Sequence, residues 1–118
     1  MTLIYTVLEN TWLSGMTTGW GNGYVCVPKE HPLYGIDYSD ERVYSLDVHG
    51  GVTFSEEVTE EDLERLSLPV QTLDMWCFGF DTAHYGDTPV KWTKEAVELE
   101  TLSLKEQLEE LALDKTNP

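Results

Sequence analysis

At 118 residues the chain is one domain by size, long enough to bury a core without disulfide or metal staples. A hydrophobic content of 41% with 11% aromatics excludes a disordered chain, and no run of about 18 apolar residues is present, so no membrane-spanning helix is expected. The net charge of −15 argues against a direct nucleic-acid partner, because phosphate contacts need Lys and Arg. It makes a basic protein surface a natural partner instead, or simply keeps a small protein in solution.

In chain order, Met1–Leu8 lacks the basic flank and cleavage site of an export signal, and its alternation of Leu3, Tyr5 and Val7 with Thr2, Ile4 and Thr6 predicts a strand. Tyr24–Val27 is a short strand that ends at Pro28. Val43–Val48 and Val52–Ser55 read as two further strands, joined by a hairpin at Gly50-Gly51, since both turn positions accept positive φ. Thr59-Glu60-Glu61-Asp62 caps a short acidic helix that ends near Leu66. Met75–Phe80 is a continuous apolar run between Asp74 and Asp81, the pattern of a central strand buried on both faces.

Thr93–Leu113 lacks Gly, Pro and aromatic residues and reads as helix, with a second capping box at Ser103–Glu106 where it is expected to break. Leu104, Leu108 and Leu111 share one face, which either packs on the sheet or forms the seam of a homo-oligomer. Cys26 and Cys77 sit in apolar strands and are read as free buried thiols, with a disulfide as the alternative. The expected fold is α+β: a small, mostly antiparallel, twisted sheet with one short acidic helix and a C-terminal helix packed on it. The single domain spans residues 1–118, with a β-rich part over 1–92 and a helical part over 93–115.

All three histidines fall in Gly- and Asp-containing loops, each expected to follow an apolar strand. The first loop runs from His31 to Tyr38; its His31, Tyr34, Asp37 and Tyr38 offer polar tips and aromatic faces that suit a planar ligand such as a nucleobase or ribose. The second holds His49, Gly50, Gly51 and Thr53, where Gly-Gly amides and a hydroxyl suit an anion. The third runs from Asp81 to Asp87. An Asp three residues before His84 and another three after it can orient the imidazole or bind a metal. Each loop also has a plain reading as a structured turn.

Convergence of all three on one pocket would give a ligand site, with Lys29, Arg42 and Lys91 as local positive charge. If the protein is an enzyme, His49 or His84 is the acid or base and Asp81 or Asp87 its partner. No phosphate loop, dinucleotide fingerprint, nucleophile elbow or paired-cysteine site is present, so no cofactor is expected and no metal ligands are assigned.

The motifs together carry a resemblance. Gly23-Tyr24-Val25, then His31-Pro32-Leu33-Tyr34-Gly35-Ile36-Asp37-Tyr38, Val48-His49-Gly50-Gly51-Val52-Thr53-Phe54 and Trp76–Asp87 resemble a family of small, mostly uncharacterised phage and prophage proteins. The resemblance covers about Gly23 to Leu113. It implies a phage-type accessory protein acting in the cytoplasm of a bacterial host, with counter-defence as the expected role. Three routes fit that role. A pocket of His, Gly and aromatic loops sequesters a nucleotide-derived signal; or an acidic surface mimics nucleic acid and blocks a basic host protein, as anti-CRISPR proteins do; or a small hydrolase cleaves the signal.

Overall fold

A computed structural model describes residues 3–10 and 18–116. Four strands, β1 (Ile4–Glu9), β2 (Gly21–Val27), β3 (Phe54–Glu57) and β4 (Trp76–Phe80), form one antiparallel sheet in the order β1-β2-β4-β3. Three helices complete the fold: α1 (Glu41–Tyr44), α2 (Glu60–Arg65) and α3 (Lys94–Thr116). This is the α+β architecture expected from the sequence, with the C-terminal helix on the sheet. No helix among the described residues is long and apolar enough to cross a membrane.

The sheet has a core on each face. On one side Val25, Val27, Phe78 and Phe80 meet Val97, Leu104 and Leu108 of α3, together with Leu33, Val43, Leu46, Val48 and Val52 from the loops. The two buried phenylalanines each contribute roughly 1.5–3 kcal/mol through burial alone. On the other side Tyr24, Cys26 and Cys77 pack against Val58, Leu66 and Leu68, which α2 and its flanks supply. The Tyr24 ring lies over Gly79 on the neighbouring strand, close enough that a Cβ at Gly79 would collide with it. Cys26 and Cys77 are register partners across β2 and β4 and are free thiols. The adjacent Cys26 side chain and, after it, burial push the Cys77 thiol well above its ordinary value, as expected for an inert buried cysteine.

Several sequence expectations hold. The N-terminal strand, the strand ending at Pro28 and the doubly buried β4 are present. Helix α2 carries its capping box, with Thr59 and Asp62 bonded reciprocally.

Three local readings are corrected. Val43–Val48 is not a strand: Asp40 caps a helical turn over Glu41–Tyr44 by accepting from the Arg42 N–H, and Leu46 N–H closes back on the Val43 carbonyl. The three-residue spacing of buried Val43 and Leu46 then fits a helical turn better than a pleat. Gly50-Gly51 consequently joins no strand pair. It forms a turn between α1 and β3, closed by Gly51 N–H to the Val48 carbonyl, with both glycines at positive φ, and β3 begins only at Phe54. Finally, α3 does not break at Ser103. Leu104 and Leu108 are wholly buried on the sheet, and packing holds the helix continuous through the local cap signal. That burial also removes the Leu104–Leu108 stripe as an oligomer seam.

Candidate functional site

The turn after α1 and the loop after β4 meet over the N-terminal half of α3. His49 is held from both ends. Its backbone N–H donates to Glu100 Oε2 of α3 at 2.7 Å, and its ring stacks on Trp92 with centroids 4.2 Å apart. Its Nε2 lies 2.9 and 3.0 Å from the two carboxylate oxygens of Asp87. Asp87 itself is buried, with its Oδ2 also accepting the backbone N–H of His84 at 2.9 Å. Asp87 N–H closes back on the His84 carbonyl, so the four residues from His84 to Asp87 form a tight turn, with Gly86 at positive φ. Burial by itself would raise the Asp87 pKa. The His49 ring and the His84 amide outweigh it and hold the carboxyl below its ordinary value of 3.8.

His84 stands edge-on to His49, with ring centroids 5.3 Å apart. Its Nδ1 is buried and lies 3.3 Å from Asp87 Oδ2 and 3.5 Å from Asp81 Oδ1, yet makes a well-formed hydrogen bond to neither. Its ring rests on Gly50, where any Cβ would collide with it. The glycine is therefore required twice at this position, by its φ of 72° and by the imidazole against it. Thr53 completes the site by donating from Oγ1 to Asp81 Oδ2 at 3.0 Å. One ligand atom each from His49, His84 and Asp87 lies within 4.8 Å of the other two.

The His31–Tyr38 loop does not join this cluster. His31 is buried, its Nδ1 accepting from Leu33 N–H at 3.0 Å and its Nε2 donating to the Leu108 carbonyl at 2.7 Å. Tyr34 donates its hydroxyl to the Asp74 carbonyl, and Trp76 Nε1 reaches back to the Ile36 carbonyl. Asp37 caps its own turn through Ser39 and accepts from Ser55, whose hydroxyl also receives Tyr38 N–H. The expected convergence of three loops is thus a convergence of two. The His31–Tyr38 segment is stitched to α3 through His31, to β3 through Asp37 and Tyr38, to Asp74 through Tyr34 and to β4 through the Ile36 carbonyl.

Two further expectations change. Of the two Gly-Gly amides expected to suit an anion, Gly51 N–H is engaged by its own turn, and the neighbouring His49 N–H is taken by the Glu100 carboxylate. With Asp81, Asp87 and Glu100 around the two imidazoles, the local charge favours a cation. Of the basic residues expected to supply local positive charge, Arg42 is taken up by an ion pair. Arg42 is held bidentately by Asp40, which brings the Asp40 carboxyl down to about 2. Arg42 also lines an apolar groove of about 390 Å³ with Pro32, Leu33, Ser45 and Leu111. That groove sits along α3 from the histidine cluster, since Leu111 follows Glu100 by a helical rise of roughly 16 Å.

Trp92 and Glu100 went unrecognised in the sequence. Trp92 shows there only as an aromatic in the loop before α3, and Glu100 as one of several acidic helix positions. Comparisons with protein-family models, curated proteins and solved structures find no match.

Proposed function

We propose that this protein binds a small, nucleotide-derived ligand at the His49–His84–Asp87 cluster, and that it serves as a phage-type accessory protein that sequesters such a signal in the cytoplasm of a bacterial host. The observation that carries the reading is the meeting of two half-exposed imidazoles on one buried carboxylate, beside a tryptophan face. Imidazole edges, the Thr53–Asp81 pair and the Trp92 ring together suit the hydroxyls and flat base of a nucleoside. Tyr85, fully exposed beside His84, adds an aromatic surface at the rim.

Mass spectrometry of small molecules released from the purified protein, followed by calorimetric titration with mononucleotides and cyclic dinucleotides, tests the reading. Binding by the wild type that is lost in His49→Ala and His84→Ala supports it. Equal affinity in both variants, or no binding across the panel, refutes it.

A second reading is favoured by a specific surface. Glu56, Glu57, Glu60, Glu61 and Glu64 are all exposed on β3 and α2, next to a sheet edge. Such a surface suits an acidic nucleic-acid mimic that blocks a basic host protein. This reading predicts steep salt dependence of a protein complex and dispensable histidines.

A further inference from the structure

We infer that His49, His84 and Asp87 form a binding site for one divalent transition-metal ion of the zinc type, with at least one coordination position left open to an exogenous ligand. The inference concerns the same side chains as the nucleotide reading but stands without it.

Three observations carry it. First, the donor set and spacing fit. Ideal tetrahedral coordination by imidazole nitrogen and carboxylate oxygen separates ligand atoms by about 3.3 Å. Here His49 Nε2 lies 2.9 Å from Asp87 Oδ1, and His84 Nδ1 lies 3.3 Å from Asp87 Oδ2. One donor atom from each of the three residues lies within 4.8 Å of the other two, so side-chain adjustment alone brings them onto one centre. Second, the buried Nδ1 of His84 faces two carboxylates without a hydrogen bond to either. A buried polar atom without a partner destabilises the fold, and a cation at that point satisfies it. Third, the surroundings are negative. Asp81 and Glu100 stand next to the cluster and carry no neutralising lysine or arginine at the contacts that fix them there.

The identity follows from the donors. Two imidazoles select zinc, copper, iron or nickel over magnesium and calcium, which take all-oxygen shells. Three protein ligands leave a fourth position for water or an incoming oxygen. Neighbouring groups already fix the ligands in place: Trp92 stacks on the His49 ring, Glu100 anchors its backbone, Gly50 lies flat against His84, and Thr53 holds Asp81 beside the second imidazole. An ion here also resolves the mismatch between an acidic site and a phosphate-bearing ligand, because the metal supplies the positive charge that the side chains do not.

The test is calorimetric titration of the metal-stripped full chain with zinc chloride, paralleled by cobalt(II) chloride read through its visible absorption. One equivalent bound is expected, with a cobalt spectrum of tetrahedral or five-coordinate intensity. His84→Gln, on the more exposed imidazole, is expected to weaken binding at least about tenfold, as even partners outside the ligand shell do. Asp87→Asn and His49→Gln should do the same. Circular dichroism reports whether each remains folded, and His84→Gln decides the matter if Asp87→Asn does not fold. Asp40→Asn, an exposed carboxylate elsewhere, is expected to change nothing. No saturable zinc or cobalt binding by the wild type overturns the inference, as does unaltered affinity in a folded His84→Gln; Asp87 is then a hydrogen-bond acceptor for the His49 ring and the His84 amide and no metal ligand. Nucleotide titrations of the zinc-loaded chain and of the chain in chelator separate the two readings: metal uptake with nucleotide binding in neither condition upholds this site and refutes the ligand, and nucleotide binding in chelator without metal uptake refutes only the metal.

Discussion

The His31 loop and the His49–His84 pair look alike in sequence and differ completely in the fold. Both lie in loop segments that carry Gly and Asp. Yet both His31 ring nitrogens make backbone hydrogen bonds, one within its loop and one to α3, while His49 and His84 turn toward each other and share Asp87 with their rings partly exposed. The first is a structural link between the His31 loop and the C-terminal helix. The second is a constellation with unspent bonding capacity, and that difference separates a fold-holding histidine from a candidate ligand.

The largest effect expected from this contrast is on stability. His31→Ala removes two buried hydrogen bonds and leaves a cavity beside Leu108, so it should cost about 2–4 kcal/mol in urea unfolding while leaving zinc affinity unchanged in whatever fraction stays folded. His84→Ala should cost under about 1 kcal/mol by the same measurement and abolish zinc binding. Inverted results would collapse the distinction between the two loops.

Glycine substitutions sharpen it. Gly50→Ala meets both a left-handed backbone and the His84 ring, and should cost roughly 1–3 kcal/mol and displace the imidazole, which the loss of zinc uptake would report. Gly35→Ala, in the His31 loop, has the same sign of φ but open space around its Cβ. It should therefore lose only about 1 kcal/mol to strain, with metal affinity intact.

A smaller effect concerns the acidic side of the molecule. Asp62 is buried, which by itself raises its pKa, but its bonds to Arg65 and Thr59 prevail and lower it below 3.8. Because the folded-state value is the lower one, Asp62 contributes stability above pH 3.8 and loses it as the pH falls through the folded value. The difference in unfolding free energy between wild type and Asp62→Asn should be full at neutral pH and shrink toward zero in acid. Smallest of all, reversing Glu60, Glu61 and Glu64 to Lys should change stability by no more than about 0.5 kcal/mol per site. If nucleotide binding survives that change and binding to a basic partner does not, the acidic mimic is the working surface.

Much of this was legible in the chain. The strand patterns of Leu3–Val7 and Met75–Phe80, the Thr59 cap and the leucine face of α3 are all local signals, set by alternation, side-chain capping and helical spacing, and they survive because tertiary packing agrees with them. Val43–Val48 misled because six residues of mixed apolar and polar character satisfy a pleat nearly as well as a turn, and the Asp40 cap decided between them. The Ser103 cap signal misled in the other direction, overridden by the burial of Leu104 and Leu108.

The sequence by itself placed the chemistry at the histidine loops, named Asp81 and Asp87 as partners, and gave the sheet-and-helix class. Only the tertiary structure could decide which histidines meet. That choice depends on contacts between residues 38 apart, such as His49 with Asp87, and 77 apart, such as His31 with Leu108. No local periodicity or turn chemistry encodes such distances; they follow from how the loops close over α3 once its apolar face is buried.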